Sequence, residues 1–128
     1  MGIDLTCGNK EFSCSYYNWN NLREDAIRTS AEYMHNSGYK KLINAYDVNY
    51  IGNLTIDDIN ILRNLGLGGL HTLCAQFDCE GYYTPGNSMD ICILFDILYH
   101  KNTRSKHLQE LYDIFEYSWT NKELVIIS

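Results

Sequence analysis

The chain alternates apolar and polar residues at its start, closes on a β-branched run and follows a helical period between them, and this arrangement constrains its fold more than any other feature. Residues 3–16, IDLTCGNKEFSCSY, place apolar residues at every second position on both sides of GNKE. That pattern predicts a β-hairpin, with Ile3, Leu5 and Cys7 on one face of its first strand and Phe12, Cys14 and Tyr16 on one face of its second. The closing ELVIIS predicts a further strand by its β-branched run. A strand at each end with helices between them predicts that the C-terminal strand joins the hairpin in a small antiparallel sheet. Packed against about five helices, that sheet makes an α+β fold.

The helices follow from spacing. In WNNLREDAIRTSAEYMHNSG, residues Leu22, Ala26, Ile27, Ser30, Tyr33 and Met34 recur at helical intervals, with Asn20 or Asn21 as N-cap and Gly38 as stop. A short helix is expected over 39–46. IDDINILRNLG reads as a second, ending at Gly66, and LGGLHTLCAQF as a third. GYY is a brief extended segment. NSMDICILFDILYH is apolar nearly all round and belongs at the centre of the core. After the polar break KNTRS, HLQELYDIFEYSW is amphipathic, with Leu108, Leu111, Tyr112, Ile114 and Phe115 as its stripe.

Composition narrows the function classes. With 128 residues, 45% hydrophobic and 13% aromatic, the chain can bury a core as one domain, residues 1–128. A net charge of −6 argues against nucleic acid, which is bound through clustered Lys and Arg; Lys40-Lys41 and Arg104, Lys106, His107 are too short to track a duplex. No segment approaches the roughly 18–20 apolar residues of a membrane span, and the N-terminus lacks a signal-peptide pattern. The five cysteines (Cys7, Cys14, Cys74, Cys79, Cys92) then read as reduced thiols in a cytoplasmic protein. Thirteen Asn, thirteen Ile and eleven Tyr against one Pro point to an AT-rich genome such as that of a large virus or a protist, which would place the protein in a host cytoplasm if viral.

Two loops carry the functional signal. DVNYIGNLTIDD, residues 47–58, is similar to the EF-hand calcium loop, with Asp47 at its first position, Asn49 at its third, Gly52 at its sixth, Leu54 at its eighth, Thr55 at its ninth and Asp58 at its twelfth. Ile51 at the fifth position offers no oxygen, and Asp58 is a methylene shorter than the usual Glu, so such a site would be weak. Aligned on Gly81, the stretch 76–87 keeps Asp78 and Glu80, a weaker set still. The resemblance implies a helix–loop–helix pair in which Leu54 and Tyr83 meet as short strands. FDCEGYYTP also resembles a segment of small microbial and large-DNA-virus proteins that carry an SDCDG-like motif; that likeness brings no activity with it. Without a metal, Thr55 and Asp58 read as a capping box, and Thr84-Pro85 as a cap followed by proline in the first turn.

Other constellations carry less. His71 and Cys74, three apart with Cys79 near, could begin a zinc site or a Cys-His pair, but zinc brings four ligands and close CxxC pairs, which are absent. Cys7 and Cys14 are expected to face each other across the hairpin. MGIDLT fits the pattern for myristate on Gly2, with Cys7 as a second acylation point. Asp57-Asp58 and Glu24-Asp25 suit solvated helix starts. No phosphate loop, nucleophile elbow or HExxH occurs, so the chain is not expected to be an enzyme. Tyr17, Trp19, Tyr82 and Tyr83 cluster near turns, where aromatics with a polar edge favour protein interfaces. The sequence therefore reads as a small non-enzymatic protein-interaction domain, a viral or protist accessory protein, without cofactor. The alternative is a weak EF-hand-like Ca²⁺ module.

Overall fold

A computed structural model describes residues 2–36, 48–75 and 81–128. β1 (Gly2–Cys7) and β2 (Lys10–Ser15) form the expected hairpin, paired from Gly2↔Ser15 to Cys7↔Lys10. Gly8 and Asn9 are its two-residue loop. Gly8 has φ 58, and Lys122 is the one non-glycine with positive φ among the described residues, so Asn9 keeps a negative φ. Positive φ at the first central residue alone is the type II′ pattern, whose twist matches the flanking strands. A Cβ at position 8 would lie 2.8 Å from both the Glu123 carboxylate and the Tyr117 ring. Gly8→Ala is expected to cost about 1–2 kcal/mol, read as a lower urea midpoint with an unchanged slope.

The C-terminal strand β4 (Val125–Ile127) lies antiparallel to β1, pairing Leu5↔Ile127 and Thr6↔Ile126. Asp4 and Ser128 extend that ladder by exchanging backbone hydrogen bonds of 3.0 and 2.9 Å. β3 (Gly81–Tyr83) joins on the far side, Tyr82↔Ile126 and Tyr83↔Val125, so the order is β2-β1-β4-β3. GYY is thus a sheet strand, where its sequence indicated only extended backbone. Tyr83 pairs with Val125 rather than Leu54, which lies between two helices and outside any strand. The register also separates the hairpin cysteines: Cys7 faces Lys10, and Cys14 faces Ile3.

α1 runs Tyr16–Asn36. It starts earlier than its asparagines suggest because Ser15, the last residue of β2, supplies the cap: its Oγ accepts from the Asn18 N–H at 3.1 Å. Asn20 instead accepts from the Arg23 guanidinium. The stop expected at Gly38 and the helix expected over 39–46 lie outside the described residues. α2 (Val48–Gly52) is a single helical turn, and α3 (Ile56–Asn64) follows with Thr55 as N-cap. α4 is Gly68–Ala75 and α5 Pro85–Leu98, the latter opened by a capping box between Thr84 and Asn87. A 3₁₀ turn, Lys101–Thr103, leads to α6 (Lys106–Asn121), capped by Ser105.

All helices in contact with the sheet reach one face of it, through Ile3, Leu5, Cys7, Phe12, Tyr83, Val125 and Ile127. α5 packs on α4, α6, α1 and β3, the central place its sequence indicated. Polar ties fix the layers. The Ser88 hydroxyl donates to Ser118 Oγ at 2.8 Å, and Ser118 donates to the Glu123 carbonyl at 2.5 Å, joining α5, α6 and the approach to β4. Arg104, buried, bridges Asp96 at 2.7 Å and lies 4.3 Å over the Tyr112 ring, which pins the α5–α6 connection. No described helix is long and apolar enough to cross a membrane.

Candidate functional site

Side chains in a strand alternate between faces, so the register that buries Leu5, Phe12, Val125 and Tyr83 turns their neighbours outward. The outward row is Tyr82, Ile126, Thr6 and Glu11, one residue from each strand, directly opposite one another in ladder order. Asp4 and Ser13 form the next row, joined by a hydrogen bond from Ser13 Oγ to Asp4 Oδ1. No described helix covers this face. Tyr82 is 52% exposed, Ile126 43%, and Leu124, two residues before Ile126, 44%. Opposed residues in an antiparallel pair bring their Cβ atoms to about 5 Å, so Tyr82 and Ile126 stand side by side, and Leu124, exposed just before β4, adds apolar surface next along the chain.

The four aromatics marked by the sequence divide two and two. Tyr17, at the start of α1, is 75% exposed, and Tyr82 stands on the outer sheet face. Trp19 and Tyr83, at 1% and 0%, are core residues, which corrects their assignment to an interface. Tyr83 is buried because its polar edge is satisfied inside: its hydroxyl donates to the Leu73 carbonyl at 3.3 Å, and its ring meets Phe115 edge-on at 5.3 Å. Ile126 and Leu124 were missed. The β-branched run marks VII as a strand without marking its buried face, and the packing of the helices to one side leaves Ile126 outside.

Two of the metal-ligand candidates are described, and they lie in different helices. Asn49 is in α2, and its carbonyl accepts from the Asn53 side chain at 2.8 Å. Asp58 is in the first turn of α3, where its backbone N–H donates to Thr55 Oγ1 at 3.2 Å, the threonine half of the expected capping box. Asp47, Asp78 and Glu80 lie outside the described residues, as does Cys79. Among the described residues no group of three His, Cys, Asp or Glu side chains is placed to hold a metal ion.

The candidate nucleophiles are quiet. Burial pushes the Cys74 and Cys92 thiols up to about 12, so neither supplies thiolate near neutral pH. Burial lowers the His71 pKa from 6.5, against a backbone hydrogen bond with Gly52 that raises it. A depressed folded pKa gives stability that is complete above pH 6.5 and lost as pH falls through the folded value. Urea midpoints are therefore expected to fall below pH 6.5, with a shallower fall in His71→Gln.

A cleft of about 650 Å³ opens between the first half of α1 and the start of α6, lined by Asn21, Glu24, Asp25, Arg28, Tyr99 and His107 among others. Several of its polar groups are already committed. Tyr99 donates to Asp25 at 2.7 Å, and burial followed by that carboxylate drives its phenol well above the ordinary range. Ser105 Oγ caps α6 by accepting from the Leu108 N–H at 3.1 Å. The Asp25–Tyr99 bond ties α1 to the end of α5. Gly2 stands in β1 opposite Ser15, so residues 2–7 are held in a strand with β2 on one side and β4 on the other.

Comparison of the chain with protein-family models, curated proteins and solved structures found no match.

Proposed function

We propose that this chain is a non-enzymatic binding module that docks a protein partner on the outer face of its sheet, around Tyr82, Ile126 and Leu124. The observation that carries this reading is the cross-strand pair Tyr82–Ile126, two large side chains exposed side by side on a face that no described helix covers. Exposed apolar groups that are contiguous rather than scattered are a mark of interaction surfaces, and Tyr is favoured there for its large apolar body and polar edge. The same reading makes it an intracellular accessory protein of a virus or protist, supported by buried thiols of raised pKa and by the Asn-, Ile- and Tyr-rich composition.

The test is photo-crosslinking in cells of the source, with a benzophenone side chain at position 82 and, as control, at position 17 on the exposed start of α1. A discrete adduct from position 82 that Ile126→Ser abolishes is the expected result. Equal adducts from both positions, or none from position 82, would overturn the reading.

Calcium binding at 47–58 is the second reading. The spacing of Asp47, Asn49 and Asp58 supports it, and it has to accommodate the helical turn Val48–Gly52. Binding at about 100 times Kd would add about 2.7 kcal/mol to stability, and an unchanged Tm at millimolar Ca²⁺ would remove it.

A further inference from the structure

We infer that the occupant of the outer sheet face is a basic amphipathic helix of another protein, seated by its apolar stripe on Tyr82, Ile126 and Leu124 and held along one flank by Asp4 and Glu11. The inference rests on the proposed docking role and adds the partner's chemistry. Among the described residues, the outward positions of the four strands are Gly2, Asp4, Thr6, Glu11, Ser13, Ser15, Tyr82 and Ile126, and the charged ones are both acids. Lys10, the strand cation, belongs to the other face, where it lines a shallow pocket with Asp113 and Glu116.

Strands are spaced about 4.8 Å apart, so Glu11 lies about 10 Å from Ile126 along the row, and Asp4 lies one row away along β1 at a similar reach. That is the distance a Lys or Arg side chain spans from a helix resting on the apolar group, with its stem over Thr6. The acids sit on the β1–β2 side alone, which predicts cations on one flank of the partner's stripe.

A strand is a poorer occupant. The edge beside Tyr82 offers three residues of backbone, too short a template for strand addition. A second copy is disfavoured as well, because its own outward strand positions bring no Lys or Arg to meet Asp4 and Glu11.

The test titrates the full chain, by backbone NMR, with three synthetic helices of about 18 residues, roughly five turns. Each carries the same Leu stripe, flanked by Lys, Gln or Glu. The expected result is shifts at Thr6, Tyr82 and Ile126 with the Lys peptide, weakening as salt rises. The Asp4→Asn/Glu11→Gln variant should bind it roughly two- to thirtyfold more weakly. Glu32→Gln/Glu110→Gln, which removes equal charge elsewhere, should not. Equal binding of all three peptides on this face would leave the docking surface standing and overturn the charge assignment. Shifts elsewhere, no shifts, or equal weakening by both charge variants would overturn the inference. Concentration-dependent dimerisation that Ile126→Ser abolishes would replace the partner helix with a second copy.

Discussion

Trp19→Ala is expected to lower the stability of the protein by about 4 kcal/mol, the largest effect of any single truncation considered. Trp19 is 1% exposed, one turn into α1, where the chain leaves β2 and turns onto the core. Removing the indole leaves a cavity at a junction whose backbone is held on both sides, by the hairpin ladder and by the Ser15 cap, so the surroundings cannot close on it. The buried Arg23 guanidinium, 5.3 Å from the ring centroid, also loses its aromatic neighbour. Urea unfolding followed by circular dichroism measures the cost, and Trp19→Phe should recover more than half of it. A loss under about 1 kcal/mol would place Trp19 on the surface.

Gly69→Ala is expected to cost about 3 kcal/mol for a different reason. A Cβ at position 69 would lie 2.4 Å from the Asp90 carbonyl oxygen and 2.8 Å from the Ile91 Cα. Those are backbone atoms of α5, so no side chain can swing aside, and α4 must move off α5 as a body. Overpacking of this kind commonly costs about 1–3 kcal/mol. Here the shift also disturbs Leu70, Leu73 and Cys74, buried on the same helix, and alanine's better helix propensity offsets only part of the loss. A lower Tm for Gly69→Ala than for Gly86→Ala, where the nearest atom is 3.8 Å away, is the diagnostic comparison.

These two residues show where the fold was legible and where it was not. The hairpin followed from period-2 alternation, which reports directly on which side of a strand is buried, and the C-terminal strand from its β-branched run; strands at both ends with helices between them made the α+β class. The pairing of GYY did not, because three residues carry too little pattern to name a partner across a gap of forty positions. The start of α1 was misplaced for a local reason: Asn20 and Asn21 are good caps, and so is Ser15, which lies where strand alternation was still being read. The buried stripe Trp19, Arg23, Ala26, Ile27, Ser30, Met34 was extendable by one turn from its visible middle, and doing so would have put Trp19 in the core.

The site was half legible. Tyr82 was marked by its chemistry and stands exposed, while Tyr83 beside it points inward, a distinction that only the strand register makes. Ile126 carried no signal of exposure, since β-branched residues suit either face of a sheet and its exposure depends on which face the helices cover. The GLGG stretch at 66–69 is a close-packing device: Gly66 takes φ 78 and Gly69 admits α5.

Oxidative footprinting of Tyr82 and Ile126 tests the docking face most directly. In the isolated protein both should be modified readily, in line with exposures of 52% and 43%, while Tyr83 and Trp19 stay protected. In the protein recovered from its own cells with partners bound, Tyr82 and Ile126 should become protected and Tyr17 should not. Modification of Tyr82 and Ile126 at the same rate in both preparations would contradict the account.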